Sequence, residues 1–262
     1  MKKTFCILLA LVSLGLSASA QGFYAHRAGR AENDENTLQA FKQCLSVGVD
    51  RFETDIRMAA DGTLIISHDA NLKRRTGFDG VIEQMKGKDI IKKKTYLGNR
   101  IPSAKALVKL LASKKASYVE FELKTGEKNL YPDSRIPEYC EAIYALVSKY
   151  QPQGVRWVYT SFDHRPLIYL REHHPEVLTG LINAKPVSKD LINLAKKLGV
   201  NQLDAGVKGT TAKAVEAAHK EGLRVCLWPG AKPQDYYDMK ALGADAMCTD
   251  IPNLLRLELS GK

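Results

Sequence analysis

Two histidines and a pair of acids fall within one stretch of this 262-residue chain, and together they could do acid–base chemistry around a cation. They are His26 in Ala25-His26-Arg27, Glu53 and Asp55 in Arg51-Phe52-Glu53-Thr54-Asp55-Ile56, and His68 in Ser67-His68-Asp69. The alternating run is a strand pattern, and residues two apart on a strand share a face, so Glu53 and Asp55 stand side by side. Two carboxylates that close raise each other's pKa unless a cation lies between them, and oxygen-only ligands suit a hard ion such as Ca²⁺ or Mg²⁺. The competing reading of the pair alone is a solvated strand face. Imidazoles titrate near neutrality, so His26 and His68 could take a proton from a nucleophile and give one to a leaving alkoxide.

These residues meet only if the chain between them turns back. A short connection separates Asp55 from the apolar run Leu64-Ile65-Ile66-Ser67. A parallel crossover needs roughly a dozen residues or more, whereas Ala60-Asp61-Gly62 carries the Asp-Gly signal of a tight hairpin. The strand therefore doubles back and returns His68 to the level of the acids. Elsewhere apolar strands alternate with segments of helical period, the pattern of a parallel α/β sheet. Strands are expected at Phe23–His26, Asp50–Asp55, Tyr118–Leu123, Arg156–Thr160, Val177–Leu181, Val200–Asp204, Leu223–Trp228 and Ala246–Thr249. With the hairpin set aside these make the eight strands of a (β/α)8 TIM barrel.

Barrel enzymes collect their chemistry at the carboxyl ends of the strands. That rule brings Glu122 and Lys124, Ser161 and Phe162, and Trp228 to the rim that holds His26, Glu53 and Asp55. Phe162 and Trp228 would wall the apolar part of a small substrate, against a rival reading as ordinary packing. Glu120 lies one strand repeat below Glu122 and is expected as a partner of Lys124 or a ligand's neighbour. Residues 69–101 form a basic excursion after the hairpin; as a long loop at a strand's carboxyl end it would shape or cap the mouth, against a rival reading as a solvated basic loop. His164, His173, His174 and His219 are expected at the surface.

Residues 1–20 have the order of a secretory signal: Lys2 and Lys3, an apolar run from Phe5 to Leu16, then Ala18-Ser19-Ala20. The run is too short for an ordinary span, so an exported protein with no stable membrane span is expected. Residues 21–262 then form one domain of a size usual for such a barrel. The formal charge of +10 favours acidic partners: phosphorylated small molecules, anionic membranes or nucleic acid. Charge alone does not choose among them, but the site motifs favour a small molecule over nucleic acid. Cys44, Cys140, Cys226 and Cys248 are scattered without disulfide or metal spacing.

His26-Arg27, Glu35-Asn36-Thr37, Glu53-Thr54-Asp55, Asp61-Gly62, His68-Asp69 and Glu122-Leu123-Lys124, in this order and spacing, resemble the glycerophosphodiester phosphodiesterases. The resemblance extends through Ser161-Phe162-Asp163 to Thr249-Asp250-Ile251-Pro252. It implies hydrolysis of a glycerophosphodiester to glycerol 3-phosphate and an alcohol. It further implies His26 and His68 as the acid–base pair, and Glu53, Asp55 and Glu122 as ligands of one divalent cation. Lys124, and Arg27 beside His26, would neutralise phosphate. The chain departs from the family pattern at Ala28, at Asp34 and at Pro229-Gly230-Ala231, where a polar contact at the rim would be lost. Two rivals are a phospholipase acting on intact lipid, which would favour an exposed apolar rim or an anchoring helix that the sequence does not display, and a non-catalytic binder of phosphorylated ligands.

Overall fold

A computed structural model describes residues 22–261, so the expected signal segment lies outside the described residues. Nine strands form: β1 Gly22–Ala25, β2 Arg51–Met58, β3 Leu64–Ile66, β4 Tyr118–Leu123, β5 Arg156–Ser161, β6 Leu178–Asn183, β7 Gln202–Gly206, β8 Arg224–Gly230 and β9 Ala246–Thr249. Their order is β1-β9-β8-β7-β6-β5-β4-β2-β3, and β1 also pairs with β2. Every pairing except β2 with β3 is parallel. Eight strands thus close into a (β/α)8 barrel, and β3 is the returning arm of the hairpin.

β2 runs three residues past the expected Asp55 for a physical reason. β1 ends beside Phe52, which leaves the outer part of that edge of β2 without a partner. β3 takes it over, with Ile56 opposite Ile66 and Met58 opposite Leu64. The turn is closed by Gly62 N–H donating to the Ala59 carbonyl at 3.1 Å. Gly62 sits at φ +79°, the left-handed region in which a side chain is strained. The Asp61 carboxylate then accepts from the backbone N–H groups of Thr63 and Gly87, which ties the turn to the excursion that follows.

Helices Leu38–Ser46, Ala104–Ser113, Lys189–Leu198 and Ala212–Lys220 start on Thr37, Ser103, Ser188 and Thr211, each of which accepts a backbone N–H on its side-chain oxygen. Such caps satisfy donors that the first helical turn leaves orphaned. The main core lies between strands and helices, where Phe41, Phe52, Val119, Phe121, Ile143 and Trp157 are buried, each worth about 1.5–3 kcal/mol where fully buried. Among the described residues no helix is long and apolar enough to cross a membrane. The four described cysteines are free and buried, and burial pushes the Cys44 and Cys140 thiols up to about 12, so they pack as small apolar groups.

The excursion 69–101 has a small core of its own, with Leu72, Ile82, Ile90 and Ile101 packed on Ala59 and Ile65 of the hairpin. It contains only short helical turns, at Lys73–Thr76, Ile82–Gln84 and Gly87–Ile90. Near its end a bridge between Lys94 and Arg100 makes a tight loop. On it Tyr96 and Leu97 are 73% and 74% exposed. An exposed apolar tip, which the sequence did not display, is therefore present.

Candidate active site

Strand register assembles the acids. Asp55 on β2 lies opposite Glu122 on β4, and Glu53 lies opposite Glu120. Glu53, Asp55 and Glu122 bring one carboxylate oxygen each within 4.8 Å of one another. All three are buried, and Glu53 Oε1 and Asp55 Oδ1 have no hydrogen-bond partner. An orphaned, buried carboxylate oxygen is costly unless a cation meets it. The donors are oxygens alone, which fits a hard divalent ion.

The cations of the chain hold this group together only in part. Lys124 Nζ lies 2.7 Å from Glu122 Oε1 and 3.7 Å from Asp55 Oδ1. Arg27 Nε lies 3.3 Å from Asp55 Oδ2, and the Arg27 backbone N–H donates to Glu53 Oε2 at 3.0 Å. Burial works to raise Asp55, but Lys124 and Arg27 overcome it and hold this carboxyl well below the usual range. Glu53 is pushed up by burial and by the nearby charges of Asp55 and Glu122, and Glu122 by burial against the pull of Lys124. The site is therefore short of positive charge.

Both histidines stand at this rim, each tied to an acid. His26 Nδ1 is 2.6 Å from Asp250 Oδ1, and His68 Nδ1 is 2.7 Å from Asp69 Oδ1. A carboxylate only accepts, so Nδ1 is the donor in both rings and Nε2 of the neutral ring carries the free lone pair. His68 arrives here because Ser67 N–H donates to the Asp55 carbonyl at 3.1 Å, continuing the hairpin ladder. His26, Arg27, Glu53, His68, Glu122, Phe162 and Trp228 all line one cavity of about 400 Å³, within the usual range for a small-molecule site. Lys124 instead faces a neighbouring cleft that it shares with His68 and Asp69. Phe162 and Trp228 meet edge to face at 6.0 Å. Pro229 and Ala231 continue that wall without a side-chain hydrogen-bonding group.

Of the two roles expected of Glu120, pairing with Lys124 is corrected, whereas its place as a ligand's neighbour holds, since it lies opposite Glu53. Lys124 reaches upward to Glu122 and Asp55, while Glu120, a repeat deeper, accepts from Gln202 Nε2 at 2.7 Å and from the Tyr118 hydroxyl. Gln202 Nε2 also donates to Asp204 Oδ1 at 2.8 Å. Burial pushes Glu120 up to about 7 and Asp204 well above its ordinary value. Ser161 is also structural: its hydroxyl donates to the Leu123 carbonyl. Of the other histidines, His173 and His219 are exposed and His174 is half-buried against Tyr144 and Glu141. His164 opens the helix His164–His173 and is not part of the cavity wall.

Several positioning residues went unassigned in the sequence. Asn36 donates to Asp55 Oδ2 at 2.7 Å and accepts from the Thr54 hydroxyl at 2.9 Å. It adopts φ +54°, and Arg27 and Ala28 lie at φ +51° and +60°, so the departure to Ala28 puts a Cβ in a conformation that favours glycine. Arg57, two residues past Asp55 on β2, donates to the His68 carbonyl at 2.9 Å. Asp250 follows the last barrel strand, a rim position by the same rule that found the others.

Residues 26–254 match the profile of the Glycerophosphoryl diester phosphodiesterase family. The chain belongs to this family, and with it to the enzymes that hydrolyse phosphodiesters. Among its relatives, a glycerophosphodiester phosphodiesterase of Caldanaerobacter subterraneus is 26% identical over 238 residues, covering 88% of this chain and 94% of that protein. A human lysophospholipase D is 25% identical over 272 residues, covering 88% and 84%. A phosphodiesterase structure from Oleispira antarctica, in complex with the product sn-glycerol-3-phosphate, superposes with a TM-score of 0.82 at 19% identity, covering 92% of this chain and 96% of that one. At that identity the superposition speaks for the fold.

Proposed function

We propose that the protein hydrolyses glycerophosphodiesters to sn-glycerol 3-phosphate and an alcohol, using one divalent cation, Ca²⁺ or Mg²⁺, and two histidines. The observation that carries this reading is the pair of imidazoles, each with Nδ1 tied to an acid, beside a carboxylate triad with orphaned oxygens. Glu53, Asp55 and Glu122 would hold the ion. When bound, it supplies the positive charge that the three carboxylates leave wanting and stabilises charge on the phosphoryl oxygens. Arg27 and Lys124 add theirs, so that site and monoanionic diester come to balance. One imidazole takes the nucleophile's proton at Nε2, and the other gives a proton from Nε2 to the leaving alkoxide. Phe162 and Trp228 wall the organic part of the substrate and keep water from it.

We also propose that 69–101 caps the site and, from the signal-like order of residues 1–20, that the protein is exported. Arg74 supports the cap: it reaches both Asp69, the partner of His68, and Glu35, at 2.5 Å from the latter. Sequencing the amino terminus of the mature protein tests export, with Gln21 expected first. The function is tested by release of glycerol 3-phosphate from a panel of headgroup diesters, run against intact phospholipid, with and without divalent ions. Turnover of intact lipid alone overturns the substrate class, and full activity in a rigorously metal-free sample overturns the cation.

A further inference from the structure

The cap segment combines two surface properties. Residues 69–101 carry nine basic and four acidic residues, a net +5, which is half the formal charge of the whole chain in one short segment. The same segment holds the two most exposed large apolar side chains among the described residues, Tyr96 and Leu97, with Phe78 at 38% exposure nearby. Gly98 N–H donating to the Thr95 carbonyl and Thr95 N–H donating to the Asn99 carbonyl hold Tyr96 and Leu97 at the crest of a tight loop. Lys92 and Lys94 before the loop and Arg100 after it are exposed. Lys93 Nζ sits 3.4 Å over the Phe78 ring, and the Tyr96 hydroxyl packs by Gly77, so rings and cations form one patch. Two adjacent side chains left this far in water cost the folded protein apolar hydration with no return inside the chain.

We propose that this loop docks the protein on an anionic lipid surface, with Tyr96 and Leu97 entering the headgroup region and the surrounding lysines meeting lipid phosphates. Tyrosine suits the interface because its ring is apolar and its hydroxyl polar, and the lysines and arginine that flank the apolar crest match the negative potential of such a membrane. The loop is braced on the catalytic rim. The Thr95 hydroxyl donates to Asp34 Oδ2 at 2.5 Å and Asn99 Nδ2 to the same oxygen at 2.8 Å, and Asp34 precedes Asn36, which holds Asp55. Docking is therefore tied through Asp34 to the loop whose Asn36 holds Asp55. A protein partner or a second copy of the chain would be expected to meet the crest with a matching apolar groove and with acids for these cations.

The test is co-sedimentation of the protein with vesicles of mixed phosphatidylglycerol and phosphatidylcholine, compared with pure phosphatidylcholine. The wild type is expected to partition onto the anionic vesicles, less so as salt rises. The double variant Tyr96→Ser/Leu97→Ser should lower that partition about tenfold or more, and Lys92→Gln/Lys94→Gln should do the same. Both variants should keep the wild-type melting temperature and hydrolyse a soluble glycerophosphodiester within about twofold of the wild-type rate, since no residue of the patch lines the cavity. Absence of partition by the wild type, equal partition onto uncharged vesicles, or no difference between wild type and the Ser/Ser variant would each overturn the proposal. So would a dimer in analytical ultracentrifugation that the Ser/Ser variant dissolves.

Discussion

Replacing Arg57 by methionine should destabilise the protein by roughly 4–7 kcal/mol, most of it from one buried partner. The guanidinium is 4% exposed and makes three bonds: Nη1 to Glu83 Oε1 at 2.9 Å, Nη2 to Glu127 Oε1 at 2.7 Å, and Nε to the His68 carbonyl at 2.9 Å. Glu127 is half exposed, so that pair contributes roughly 0.2–1 kcal/mol. The bond to the His68 carbonyl contributes about 1 kcal/mol. Glu83 is 1% exposed, and without Arg57 it keeps only the Tyr131 hydroxyl at 2.9 Å. Stranding a buried carboxylate in this way costs roughly 3–5 kcal/mol. For a chain of this size the loss corresponds to a fall in melting temperature of roughly 8–28 °C. Urea unfolding should show it, and Arg57→Met/Glu83→Gln should recover at least half, because the second change removes the stranded charge. Since Arg57 also anchors the His68 backbone, kcat of the folded variant should fall roughly a hundredfold. A single-variant cost below about 1 kcal/mol, or no coupling between the two positions, would refute the reasoning.

Three further outcomes are expected. His26→Ala and His68→Ala should each lower kcat by roughly 10²–10⁴ with little change in melting temperature, because both rings stand at the rim; a His68→Ala chain that unfolds but keeps residual activity would make His68 a core residue. Glu122→Gln should abolish calorimetrically measured divalent-ion binding, whereas Glu120→Gln, a tier deeper and bonded to Gln202 and Tyr118 rather than to a ligand, should cost less than the roughly 10–100-fold of a group that holds a ligand directly; the reverse order would contradict the assignment of the upper tier. Asp163 is raised by burial but brought below its ordinary value by hydrogen bonds from Arg165 and Thr125. A depressed folded value stabilises the protein above the unfolded pKa of about 3.9 and loses that effect as pH falls through the folded one. Urea midpoints of Asp163→Asn and wild type should therefore differ at neutral pH and converge below about pH 4; a constant gap would show that the charge is not what matters.

What could be read from the sequence was whatever repeats along it. Short apolar runs between helical segments located β4 and β9 to the residue, the Asp-Gly turn predicted the hairpin that returns His68, and period two set Glu53 beside Asp55. The same rule placed Glu120 on the inner face, but a strand period fixes the face and not the cross-barrel neighbour, so its bond to Gln202, 82 residues away, was out of reach. Asp250 is 224 residues from His26 and no local pattern joins them, though its place just past a barrel strand was a usable signal. Arg57 shares the alternation of Glu53 and Asp55 but lies where β2 had been expected to stop, because the hairpin's support of that edge is a tertiary effect. The apolar crest at Tyr96 and Leu97 was hidden for the opposite reason, since exposure depends on what fails to cover a residue.

The first and last strands of the barrel lie against each other, Gly22 beside Ala246 through Ala25 beside Thr249, and His26 takes its orientation from Asp250 directly beyond that seam. On a ribosome β9 of this pair emerges only after the other eight described strands. A nascent chain stopped before residue 246 contains eight of the nine described strands and all three clustered acids, yet its β1 edge stays open and His26 has no Asp250 to fix its tautomer. Contacts of such sequence separation form slowly, and an open parallel edge is prone to wrong pairing while it waits. Turnover is therefore a more stringent gauge of complete synthesis and closure than helix content, since circular dichroism would score the truncated chain as nearly native while the assay scored it as silent.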